Sequence, residues 1–274
     1  MAHQRSFAQW LMSAIGLLAG AVALFPLVWM FLAGFKSEDE VLSTPVKLLP
    51  THWLLENYKS ILTDNHFTIS LFMTFLGAII STFLCLCVNS TAAYAFARLE
   101  FRFKKLIWSY MIVTMFIPAI AVLVPQFVIV SKLGILNTLT VLIIPGVAQA
   151  IHIFFLRQFY LNTPKALEEA ALIDGANRYQ IYYYLFLPLS KGPFTIVGIA
   201  AFLGYWNNFI WPVMTVSDER LFQVQQLLAS FSSLHKTEWS LLMAGATVVA
   251  LPPIILFFIF QRHIIQGIKI SGLK

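Results

Sequence analysis

The sequence predicts an all-α integral membrane protein with six transmembrane helices and both termini in the cytoplasm. Three observations predict it. The 274-residue chain is 59% apolar and only 11% charged, far from the profile of a soluble domain. Intervals free of Asp, Glu, Lys and Arg run over 6–35, 65–97, 106–131, 133–156, 192–217 and 239–261. Each exceeds the roughly 20 residues that cross a hydrocarbon core. The third observation is the distribution of cations. Six spans put both termini on one side, with Arg5, the turn bearing Arg98, Arg102, Lys104 and Lys105, the loop bearing Arg157, Lys165, Arg178 and Lys191, and the tail with Arg262, Lys269 and Lys274. The opposite side holds fewer: Lys36, Lys47, Lys59, Lys132, Arg220 and Lys236. The positive-inside rule makes the cation-rich side cytoplasmic. The net charge of +6 is therefore a topology signal, and no nucleic-acid partner is expected.

Taken in order, span one (Trp10 to Gly34) runs past the length of a secretory h-region and is expected to remain as an anchor; Pro26 should kink it. Residues 36–67 form the longest external segment. Span two, Phe67 to Ala97, carries Cys85 and Cys87 on different helix faces, so neither a disulfide nor a metal site is suggested. Span three holds Pro118 and Pro125, and span four returns from the turn 131–138 through Pro145. Span five starts near Pro193 and ends in GYWNNFIWPV; residues 214–240 are external; the last span carries Pro252 and Pro253. Prolines at membrane depth are tolerated where other groups satisfy the freed carbonyls, which suggests helices around a cavity. The six spans make one transmembrane domain over residues 1–274 and leave no room for a soluble catalytic domain.

The stretch that organises the chain is 157–191, a cytoplasmic loop between spans four and five. It reads as two short helices meeting at a glycine. Thr163 can cap the first, with Pro164 at its first position and Glu168 and Glu169 in its early turns, where the dipole favours carboxylates. Gly175, after Asp174, is placed to be the left-handed residue that stops it. Asn177 caps the second helix with Gln180 at capping-box spacing, Tyr182, Tyr183 and Tyr184 should turn toward the bundle, and Pro188 closes it. Ala170 and Ala171 offer so little side chain that another surface could approach closely, and Glu169 could pair with a partner's Arg. An ordinary amphipathic helix lying on the membrane is the alternative.

No formal charge lies well inside any span, which argues against proton or ion coupling and favours an uncharged solute. Candidates for a solute path are Asn89 and Tyr94 in span two, Gln126 in span three, Gln149 in span four, and Trp206, Asn207, Asn208 and Trp211 in span five. Aromatic faces beside amides suit a sugar ring. The tryptophans could equally belong to an interfacial belt, and His152 fits a packed helix residue better than a ligand. The histidines are scattered, no nucleophile–base pair converges, and no segment matches G-x-x-x-x-G-K-[ST]. No catalytic residue, metal or bound cofactor is therefore expected. A stand-alone secondary carrier should show an intramembrane carboxylate or an internal repeat, and neither is seen.

The spacing Glu169-Ala170-Ala171, three residues, Gly175, nine residues, Leu185-x-Leu187-Pro188 resembles the EAA loop of permease subunits in bacterial ATP-driven, binding-protein-dependent importers. TPVKLLPTHWLLENY, YAFARLEFRFKK, SKLGILNT, YWNNFIWP and FQRHIIQGIKISGLK resemble the carbohydrate-uptake branch, the maltose and glycerol-phosphate type. The resemblance implies a type I ABC importer permease fold in the inner (plasma) membrane. It implies a coupling helix, with Glu168, Glu169, Ala170, Ala171, Asp174, Gly175 and Pro188 at the contact, docked on a separate ATPase dimer that holds ATP and Mg. It also implies a second permease subunit, an extracytoplasmic solute-binding protein docking on 36–67 and 214–240, and a sugar substrate.

Overall fold

The computed structural model of the chain describes residues 7–232 and 237–272, with side chains over 10–232 and 237–262. Arg5, Lys236 and Lys274, used above for orientation, and His3 and His235 lie outside the described residues, as do the side chains of His263 and Lys269. The regular secondary structure of the described residues is helical, apart from an isolated bridge between Ser232 and Thr237.

Three helices are long and apolar enough to cross a membrane unaided: Trp10–Ala33, Asn65–Arg98 and Trp239–Arg262. The other apolar intervals are broken. Lys104–Thr114 and Ala119–Lys132 meet at 108°, Leu139–Gly146 and Ala150–Asn162 at 45°, and Arg178–Leu189 and Lys191–Trp206 at 79°. The chain thus has three spans, or up to six if each bent pair is one. Pro118 explains the sharpest break: it sits extended (φ −59°, ψ 133°), carries no N–H and bars Ile117 from a comfortable helical conformation. Pro145 lies in the tight turn Ile144–Gly146 at the second break. Pro26, Pro125, Pro252 and Pro253 instead lie inside continuous helices.

By its contacts the chain forms two compact units, Met1–Thr68 with Leu227–Leu251, and Ile69–Gln226 with Pro252–Lys274. In the first, the apolar window of the Trp10–Ala33 helix has no buried residue, as expected of a helix solvated by lipid or by another subunit. Its C-terminal end is tied down locally. Asn57 donates to the carbonyls of Gly34 (3.0 Å) and Lys36 (2.9 Å), and the Tyr58 hydroxyl to Phe31 (2.8 Å). A Cβ at Gly34 would lie 2.6 Å from the Tyr58 oxygen, so the Tyr58 ring could not sit where it does against a larger residue. The Glu38 carboxylate accepts from the N–H groups of Trp239 (2.9 Å) and Ser240 (3.1 Å), capping the positive end of the last helix.

In the second unit the core gathers Cys85, Tyr94, Leu156, Tyr160, Ile181, Phe186 and Val197 from the second span, the fourth interval, the elbow and the fifth interval. Its connecting turns fall into two separate sets. The Asn137 carboxamide accepts from the N–H groups of Ser217 (2.6 Å) and Asp218 (3.2 Å), and the Asn137 N–H donates to Thr215 (3.0 Å). That joins the turn 131–138 to the start of the 214–240 segment. The Arg220 N–H, donating to Asp218 at 3.0 Å, holds that exposed carboxyl below its ordinary pKa. At the other set, Arg98 reaches the elbow. Turns predicted to share a membrane side thus contact each other.

Candidate functional site

The elbow is built by two capping motifs back to back. The helix Lys165–Ile173 ends in a Schellman turn: Gly175 has φ +84°, its N–H donates to Leu172 (3.1 Å) and that of Ala176 to Ala171 (2.9 Å). Asn177 then closes a capping box with Gln180, at 2.9 Å and 2.8 Å, and starts Arg178–Ile181. Gly175 and the box sit as the sequence predicts. The first cap does not: the N-cap position is Pro164, and the Thr163 hydroxyl donates back to Phe159 (3.3 Å), because Thr163 closes the preceding helix Ala150–Asn162. Pro188 does not end the second helix either. A π-helical stretch Tyr182–Phe186 leads into Leu187–Leu189, and the chain turns at Ser190. Of the three tyrosines only Tyr182 turns inward, its ring 5.2 Å from that of Tyr94 and its hydroxyl 2.6 Å from Ser90; Tyr183 and Tyr184 stay exposed.

The two glutamates have different surroundings. Glu168 is buried and paired with Arg178 and, at 3.6 Å, with Arg98. Arg98, itself buried at the end of the second span, also donates to the carbonyls of Tyr160 (2.6 Å) and Thr163, the open C-terminal end of a helix. The Tyr94 hydroxyl donates to the Arg178 carbonyl at 3.3 Å. Glu169, Ala170, Asp174 and Gly175 are exposed, Ala171 is half-buried, and Ile173 and Tyr179 stand 86% exposed beside them. Sequence reasoning placed Glu168 with the docking residues and missed the Arg98–Glu168–Arg178 network. The available signal was an arginine closing an uninterrupted apolar run.

A cleft of about 370 Å³ lies between the second to fifth apolar stretches, lined among others by Gln126, Gln149, Tyr205, Asn208 and Trp211. The Trp211 indole is oriented by donating to Val141 at 2.8 Å. Gln149 donates to Gly146 at 3.0 Å. Four of the predicted path residues, Gln126, Gln149, Asn208 and Trp211, therefore converge. Asn207 is exposed but outside the lining, and Trp206 is buried against Phe202, rings 5.6 Å apart. Tyr94 is in the core. Asn89 is fully buried and bridges the break in the fourth interval: it donates to Val147 (2.8 Å) and Cys85 (2.6 Å) and accepts from the Gln149 N–H (2.9 Å). His152 is buried with Nδ1 3.3 Å from the Cys85 sulfur, while Cys87 is exposed. Among the described residues no cluster of three or more potential metal ligands occurs.

Residues 89–270, which contain the elbow and most of the cleft lining, match the family model described as binding-protein-dependent transport system inner membrane component. The chain is 30% identical to the arabinooligosaccharides transport system permease protein AraQ of Halalkalibacterium halodurans, over 97% of this chain and 96% of that one. It is 30% identical to the trehalose/maltose transport system permease protein MalG of Thermococcus litoralis, over 94% of each, and 31% identical to the diacetylchitobiose uptake system permease protein NgcG of Streptomyces coelicolor, over 93% and 86%. Among solved structures it is similar to a bacterial ABC transporter involved in the import of the acidic polysaccharide alginate, with TM-score 0.83, 21% identity, and 94% and 98% of the two chains covered. At that identity the likeness concerns the fold alone. Family match, relatives and architecture agree, and the chain belongs to the inner-membrane permease components of binding-protein-dependent transport systems.

Proposed function

We propose that this chain is the permease subunit of an ATP-driven sugar importer. It forms the translocation path with a second permease subunit and is coupled through residues 157–191 to a separate ATPase dimer carrying ATP and Mg. Counting each bent pair as one span gives six, with both termini and the elbow in the cytoplasm of a bacterial inner (plasma) membrane; the cation distribution supports that orientation. The solute class rests on relatives named for arabinooligosaccharide, trehalose/maltose and diacetylchitobiose uptake, and on a cleft lined by amides and aromatics without a charged group. The segments 36–67 and 214–240 are the docking surface for an extracytoplasmic solute-binding protein. A stand-alone secondary carrier has no support in the family match.

The observation that carries the coupling assignment is the elbow's outer face: Glu169 and Ala170 exposed together, on a helix whose far end is fixed by Gly175 and whose inner face is fixed by Glu168. Closure of the ATPase pair pulls this helix, and the short turn to Lys191–Trp206 passes the movement to a wall of the cleft, which alternates between outward and inward access. The test is site-directed cross-linking in membranes containing all subunits, from Ala170→Cys with a thiol–amine reagent. An adduct with the ATPase is expected from position 170 and none from Lys47→Cys. Capture of no nucleotide-binding subunit from position 170 removes the coupling assignment.

A further inference from the structure

We propose that the recess beside the basic turn 98–105 binds the headgroup of an anionic phospholipid. The recess measures about 610 Å³ and is lined by Glu100, Lys104, Lys105, Leu106, Trp108 and Arg157, with Phe101 and Phe103 at its edge. Its charges do not cancel internally. Lys104 is engaged with Glu100 (3.2 Å) and the Leu99 carbonyl (2.7 Å), but Lys105 is exposed and has no acidic partner among the described residues. Arg157 lies over the Trp108 ring at 4.0 Å and, among the described residues, donates through its Nε alone, to Phe96 at 3.1 Å, which leaves its terminal amino groups for an outside acceptor.

Two features point to a lipid as the source of that acceptor. Phe103 is held in the left-handed region (φ 63°), which a bulky residue avoids, and the residue is 59% exposed with the Arg102 guanidinium 4.8 Å from its ring centre. The described chain offers no buried packing in return for that conformation; a ring at the level of lipid headgroups would have it. The wall rising from the recess is also bare and apolar, with Leu106, Tyr110 and Val113 all exposed along the helix Lys104–Thr114. Unpaired cations at the foot of such a face match a phosphodiester with its acyl chains above it. A soluble phosphate would use the cations and leave the aromatic edge and the wall unexplained.

This site rests on the membrane reading alone, and neither the solute nor the coupling assignment enters it. The experiment is native mass spectrometry of the assembled transporter released from nanodiscs with equal phosphatidylglycerol and phosphatidylcholine. Both leaflets of a nanodisc are alike, so the result does not depend on which end faces the cytoplasm. Wild type is expected to retain phosphatidylglycerol preferentially. Lys105→Glu, at an exposed position where folding is unaffected, should lower that preference at least about fivefold, the value of one surface cation. Phe103→Gly relaxes the backbone, so it should lower retention without lowering the melting temperature. A wild-type ratio near one, an unchanged ratio in Lys105→Glu, competition by millimolar inorganic phosphate, or a cross-link from Lys105→Cys to a protein subunit would each overturn the assignment.

Discussion

Glu168 and Glu169 are adjacent in sequence yet do opposite work, because neighbours on a helix point about 100° apart. Glu168 turns inward to two arginines; Glu169 turns out beside Ala170. Removing one member of a buried charge network leaves the rest uncompensated, at roughly 3 kcal/mol or more, whereas an exposed pair contributes about 1 kcal/mol or less. Glu168→Ala should therefore lower the melting temperature and folded yield of the purified complex. Glu169→Lys should leave both unchanged and abolish uptake, since the charge it reverses faces the proposed ATPase contact. Uptake at wild-type rate by Glu169→Lys, or an unaltered melting curve for Glu168→Ala, would reverse the two assignments. Part of this was legible in the sequence. Asp174-Gly175 after an apolar helical run announces the left-handed stop, and Asn177 with Gln180 the restart, because both are local chemistry. Glu168's partner Arg98 belongs to the second span, far from the elbow in sequence, and no local pattern shows which of two carboxylates faces it.

At the scale of elements, proline marked where spans could break but not which would. Pro118 and Pro145 sit at bends of 108° and 45°, while Pro125 and the Pro252–Pro253 pair stay within uninterrupted helices. A break at membrane depth frees backbone groups that need partners, and those partners decide. Asn89 is one of them. One carboxamide satisfies the Val147 carbonyl and the Gln149 N–H across the interrupted fourth interval. Leaving both unpaired costs about 1–3 kcal/mol per group by soluble-protein measures, with membrane values toward the low end. Asn89→Leu should then reduce folded yield and thermal stability while the apparent KM for uptake by the protein that does fold stays at the wild-type value. A shifted KM with full stability would return Asn89 to the solute path. The sequence marked Asn89 as a polar residue inside a span, which is true of a strut and of a ligand alike.

For the whole chain, the transport reading asks which polar groups a passing solute meets, and composition alone left eight candidates. The cleft brings Gln126, Gln149, Asn208 and Trp211 together and leaves Trp206 in the core and Asn207 off the lining. Adjacent positions again part company, because Asn207 closes the helix Lys191–Trp206 and Asn208 begins the link to Ile210–Thr215. A neutral hydrogen bond to a sugar hydroxyl contributes about 0.5–1.5 kcal/mol net, roughly two- to tenfold in binding. Gln149→Ala and Asn208→Ala should each weaken solute-dependent transport by about that factor, and Asn207→Ala should not. The comparison belongs in proteoliposomes with the solute-binding protein held saturating, so that recognition by that protein is not what varies. Equal losses at 207 and 208, with ATPase coupling intact, would mean that the path in the working transporter runs elsewhere than this cleft. A loss confined to 149 and 208 would assign solute contact to these two amides of the cleft lining, one beside the break in the fourth interval and one just past the end of the helix Lys191–Trp206.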